Sequence, residues 1–203
     1  RTPTMNAVAE AAPGEAAPVR KYLADEGLTL CAILATHHHP DHVGGALMGH
    51  DVQGLSQLLE INPCPVYVHG GDAELVRLMT GLSVTDLTVV ASGEKVKVGA
   101  VEVECLHTPG HTQGSQCFRC GQALISGDTL FLEGCGRTDL PGGDVEEMWR
   151  TLYERLLALP ADLVLYPGHD YGKGPPTSLG EVRRTNPVLQ TPTYDAFRRM
   201  RGR

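Results

Sequence analysis

An apolar run that opens onto a cluster of metal-binding side chains constrains this chain more than any other feature. The segment LTLCAILA, residues 28–35, reads as a buried strand. It leads straight into THHHPDHVGG, residues 36–45, where four histidines and an aspartate fall between His37 and His42. An extended chain repeats its direction every second residue, so His37 and His39 project from one side and can share one metal ion, while His38 points the other way. Pro40 ends the strand. Asp41 and His42 are adjacent and need a turn to converge on one point, which Gly44 and Gly45 permit. The segment reads as two ligand pairs for two neighbouring metals.

Such a site needs more nitrogen and oxygen donors, and each later candidate follows a strand-like run. HTPGHT offers His107 and His111, ISGDTLF offers Asp128, and LYPGHDYG offers His169 and Asp170. Imidazole with carboxylate, and no required thiolate, suits Zn(II) first and also Fe(II) or Mn(II). Two such ions close together form a hydrolytic device: they generate hydroxide near neutral pH, polarise a carbonyl and take up the leaving group's charge.

The remaining pattern is that of a layered α/β protein. EAAPVRKYLADEG predicts a helix stopped at Gly27, ALMGHDVQGLSQLLE a second, DAELVRLMTG a third, and GGDVEEMWRTLYERLLALP the strongest, with Asp144 as its N-cap. CPVYVH, LTVV, KVKVG, VEVECLH and DLVLYP predict strands, and SQCF with QALIS a hairpin around RCG. The 203 residues carry a net charge of -7 with no Lys/Arg cluster, which argues against a nucleic-acid partner. No apolar run reaches the roughly 18 residues of a membrane span, and the start has no signal-peptide core. Six cysteines, several inside apolar runs, fit a reducing cytoplasm better than a disulfide framework.

THHHPDHVGG, HTPGHTQGS, SGDTLFLEGCGRTD and YPGHDYG together resemble the metallo-β-lactamase-fold hydrolases, and within them the glyoxalase II (hydroxyacylglutathione hydrolase) branch. The likeness runs from about Ala12 to Leu189. It implies one domain over residues 1–203, a four-layer αββα sandwich with the metals at a sheet edge. It puts His37, His39 and His111 on one metal, and Asp41, His42 and His169 on the other. Asp128 and a hydroxide bridge them, so Asp41 and Asp128 serve the metal-bound nucleophile. His38 and His107 are left as non-ligands, with His107 a candidate partner for a ligand's outer nitrogen. Arg137 and Tyr171 match family positions that contact a glutathione-based substrate. Two departures follow. Ala12 stands where the family carries the first residue of an Asp-Pro-Gly, so the N-terminal strand region is expected to be incomplete. The helical C-terminal domain of glyoxalase II is expected to be absent.

Other motifs read as structural. Cys117 and Cys120 sit around a hairpin turn with no second pair to complete a zinc site. Cys135 packs a glycine-rich loop, and Trp149 joins Leu152 and Leu156 on an apolar helix face. Three functions stay open. The first is hydrolysis of S-acylglutathione thioesters. The second is an iron-dependent persulfide dioxygenase, using His37, His111 and Asp128 on one iron. GCGRTD and SLGEVRRTNPVL resemble that branch, but it carries Ala where this chain has Thr129. The third is a degenerate binding module, against which all seven ligand positions stand.

Overall fold

The computed structural model describes residues 6–10, 16–172 and 174–201. Ala12, the position compared with the family's Asp-Pro-Gly, lies outside them. In chain order the elements are β1 (Asn6–Glu10), α1 (Ala16–Asp25), β2 (Thr29–Leu34), α2 (Pro40–Val43), β3 (Gly45–Leu47), β4 (His50–Val52), α3 (Leu55–Leu59), β5 (Val66–His69), α4 (Ala73–Thr80), β6 (Leu87–Val90), β7 (Lys95–Val98), β8 (Val101–His107), β9 (Gln116–Cys120), β10 (Ala123–Gly127), α5 (Val145–Arg150), β11 (Val164–Pro167), α6 (Leu179–Thr185) and α7 (Tyr194–Arg201). Helical turns continue α5 to Ala158. The Asp144 carboxylate caps α5 as expected, accepting from the backbone of Glu146 and Glu147.

One sheet has the order β1-β2-β5-β6 and the other β11-β10-β9-β8-β7. The edge strand β1 pairs parallel with β2, in the N-terminal region whose strands were expected to be incomplete. Three apolar clusters show the layers. Leu30, Ile33, Val66 and Val68 pack outward against Leu23, Leu58 and Val76 of the helices. Ala32, Leu34, Val103, Cys105 and Phe118 fill the space between the sheets. Leu124 and Leu165 pack outward against Met148, Leu152, Val182 and Phe197. This is the expected αββα sandwich. The register of β1 on β2 jumps from Leu30 to Ala32, so Cys31 is an extra residue that resets the two-residue alternation. Ala32 and Leu34 thereby face in, and Ile33 and Ala35 face out.

The helix expected over residues 46–60 forms only at α3. Its first half is the hairpin β3–β4, turned at Met48 and Gly49. Both turn residues have positive φ, 51° and 83°, which suits a two-residue hairpin loop and no helix. Among the described residues, no helix is long and apolar enough to cross a membrane.

Candidate metal centre

The site lies where strand ends coincide. β8 and β10 are each antiparallel to β9, and β10 is parallel to β11. Their C-terminal ends therefore share one edge of the larger sheet, and His111, Asp128 and His169 follow these ends. The end of β2 is pinned to that edge: the backbone N–H of Gln116 donates to Thr36 O at 2.9 Å, and its side chain donates to Ala35 O at 2.9 Å. The loop bearing His37, His39, Asp41 and His42 is thus carried to the other three donors. Asp41 and His42 are brought round by the single turn of α2, for which Pro40 sets the first helical residue.

Among the described residues, three groups of donor atoms are close enough to hold metal ions: His37, His39 and His111; Asp41, His42 and His169; and His37, His42 and Asp128. Donors about 2.0–2.1 Å from a tetrahedral ion lie ~3.3 Å from one another. Here His39 Nδ1 is 2.9 Å from His111 Nε2, and His42 Nε2 is 3.1 Å from His169 Nε2. His169 Nε2 is 3.3 Å from Asp41 Oδ2. Asp128 lies between the sets, with Oδ1 3.2 Å from His42 Nε2, and Oδ2 3.4 Å from His169 Nε2 and 3.7 Å from His111 Nε2.

The residues fit a metal on independent grounds. His37 Nε2 is buried with no hydrogen-bond partner, a costly state for a polar atom that a cation would relieve. His111 Nδ1 faces Arg137 O at 2.8 Å, so it carries the ring proton and leaves the Nε2 lone pair aimed into the site. Burial, reinforced by the neighbouring imidazoles, pushes His37 well below the ordinary histidine range and His39 to about 4. Burial also lowers His111. These rings are neutral at physiological pH, the form in which an imidazole can bind a metal. Burial acts to raise Asp128, but the hydrogen bond from His42 and the surrounding imidazoles hold it below its ordinary value, so it is an anion. Gly168 leaves room for this packing: a Cβ there would stand 2.7 Å from Asp128 Oδ1 and 2.8 Å from His42 Cε1.

A groove of about 460 Å³ opens over the donors, walled by Leu47, Phe131, Cys135, Arg137, Tyr171 and Arg201 among others. Tyr171 stacks on His169, with ring centroids 5.1 Å apart. Arg137 lines the groove, but its guanidinium is held by Asp139 through two hydrogen bonds of 2.9 Å. Cys135 is buried and its thiol is pushed up to about 11 by burial, which suits packing and not attack.

Two candidates stand elsewhere. Asp170 is exposed and belongs to none of the donor groups. His107 stacks on His69, with centroids 3.7 Å apart, and bonds Gln113 O instead of supporting a ligand. Sequence reasoning missed the roles of Asp72, Thr108 and Arg201 at the site. Asp72 binds both ligand loops, Thr108 meets Thr129 at 3.0 Å, and Arg201 donates to Cys135 O and Gly136 O at 2.6 Å. Each is distant in sequence from the motif it touches, so only tertiary pairing exposes it.

The metallo-β-lactamase superfamily model matches residues 7–169. The chain belongs to the metallo-β-lactamase superfamily. Within this superfamily it is 38% identical over 191 residues to the hydroxyacylglutathione hydrolase of Rhodopseudomonas palustris strain BisA53, covering 93% of this chain and 67% of that protein. Among superfamily structures, ETHE1 from Myxococcus xanthus superposes with a TM-score of 0.81 at 28% identity, covering 100% of this chain and 82% of that one. The di-iron-bound form of TTHA1623 gives a TM-score of 0.67 at 34% identity, covering 86% and 85%.

Proposed function

We propose that this superfamily member is a dinuclear metallohydrolase that cleaves glutathione-linked thioesters of the S-lactoylglutathione type. The observation that carries the reading is the pair of complete donor sets on either side of Asp128. The likeness to hydroxyacylglutathione hydrolases supports the substrate class. In this reading His37, His39 and His111 would hold one ion and Asp41, His42 and His169 the other, with Asp128 lying between the two sets. Bound there, Zn(II), Fe(II) or Mn(II) supplies Lewis acidity and a water of lowered pKa.

The chain's own groups supply the rest. Asp128, held as a carboxylate, accepts a hydrogen bond from the attacking water and orients its lone pair toward the carbonyl carbon. The Asp41 carboxylate, 34% exposed to the groove and able to offer one oxygen to the second set and the other to a proton, takes the water's proton. Oxygen adds to the carbonyl, the C–S bond breaks, and the sulfur takes the proton that Asp41 received and leaves as a thiol along the wall of Tyr171 and Arg137. A second reading, a persulfide dioxygenase with one iron on His37, His111 and Asp128, is supported by the likeness to ETHE1 over the whole chain. Metal analysis of protein purified without added metal, with thiol release from S-lactoylglutathione and dioxygen uptake with glutathione persulfide, separates the two. Two ions and thiol release support the hydrolase; one iron and dioxygen uptake overturn it.

A further inference from the structure

Asp72 occupies the N-cap position of α4, yet its side chain makes no capping bond. It is 2% exposed and turns instead toward the metal centre. Its Oδ2 accepts from the backbone N–H of His38 at 2.9 Å and from the Thr112 hydroxyl at 2.7 Å, and lies 3.0 Å from His38 Nδ1. Its Oδ1 accepts from the backbone N–H of Gly114 at 2.7 Å. His38 stands between the donors His37 and His39, and Thr112 directly follows the donor His111. One carboxylate therefore joins the two chain segments, otherwise unconnected in sequence, that furnish all three donors of the first set. The contact is too close for a side chain: a Cβ at Gly114 would stand 2.3 Å from the Asp72 backbone nitrogen.

We propose that Asp72 is a positioning residue that sets the geometry, and so the affinity, of the His37–His39–His111 set while leaving the Asp41–His42–His169 set largely alone. This rests on the two-set reading above. The reason is chemical. The backbone N–H groups of His38 and Gly114 and the Thr112 hydroxyl present three donors, and a carboxylate is acceptor-only at both oxygens, so it satisfies all three at once. Groups that orient metal ligands from behind typically change metal affinity 10–100-fold when removed. The second set follows Pro40 and β11 and has no bond to Asp72 among the described contacts.

The test uses cobalt(II) titration of the full chain, following the d–d absorption band, in two backgrounds. His169→Ala leaves the first set intact; His111→Ala leaves the second. In the first background, Asp72→Asn should weaken cobalt binding about 10–100-fold and shift the band. In the second it should change affinity less than about twofold. Thr112→Val, which keeps the volume and deletes one bond to Asp72, should act in the same direction with smaller size, and serves where Asp72→Asn folds poorly. Unchanged first-set affinity in both variants would overturn the proposal. So would an equal loss in both backgrounds, which marks a general structural role. Failure of the parent chain to bind cobalt at all would overturn the metal reading itself, separately from the role of Asp72.

Discussion

His39 Nδ1 and His111 Nε2 approach to 2.9 Å, although the two residues lie 72 positions apart. The Arg137 carbonyl fixes the His111 proton on the far nitrogen, so a lone pair faces His39 across this gap. A cation between the rings uses both lone pairs. His39→Ala should therefore lose metal and hydrolysis together. His38→Ala should keep both largely intact, because its ring faces Asp72. It should instead lower stability by about 0.5–3 kcal/mol, since a buried ring and its 3.0 Å contact with the Asp72 carboxylate are lost. Metal content and thermal melting of the two variants check this; equal metal loss would show that the His38 side chain matters to the site.

Gly168→Ala tests the packing around Asp128. The added methyl would press on Asp128 Oδ1 and His42 Cε1 at once. The expected result is a fall in hydrolysis of ~100-fold, on the scale that a misplacement of about 1 Å costs a catalytic geometry, with loss of metal from the second set. A variant with wild-type metal content and rate would show that the loop yields freely.

The metal-free protein should lose stability as pH falls from about 6.5 to about 4. His39 binds its proton near 6.5 when unfolded and only near 4 when folded, because burial and then His111 oppose the charge. Between those values the unfolded chain holds more protons, so acid favours unfolding, and the contribution is fully present above 6.5. His37 and His111 shift in the same direction. Asp72 and Asp128 are depressed too, and their contributions fade only at lower pH, below the ordinary aspartate value of 3.8. Denaturant midpoints of chelator-treated protein at several pH values test this. A flat profile from pH 7.5 to 5 would contradict it.

Arg137 is already engaged by Asp139, and both face solvent. Releasing it should help a carboxylate-bearing substrate. Asp139→Ala is expected to lower KM for S-lactoylglutathione several-fold, and Arg137→Ala to raise it about tenfold, the size of one charge-assisted contact. The kcat should move less, since the contact is remote from the carbonyl. Running both variants with a small uncharged thioester is the control. The same KM change on that substrate would remove Arg137 from carboxylate recognition.

The donors were legible in the sequence because strand alternation and turn residues act locally: His37 and His39 share a side for the same reason that Ala32 and Leu34 do, and Asp128 and His169 follow strand-like runs. The Asp144 cap and the hairpin around Gly121 are equally local. The hairpin β3–β4 was misread as helix because its apolar spacing suits either, and the positive φ of Met48 is not visible in residue type. The tertiary structure alone decided that Asp72 braces two distant loops instead of capping its helix. It also decided that Arg137 is paired with Asp139, that His107 stacks on His69, and that Arg201 ties α7 to the loop after Asp128. The sequence determines which side chains a strand end presents. Which partner lies opposite depends on how the sheets and helices pack, and those contacts join residues with no local signal of each other.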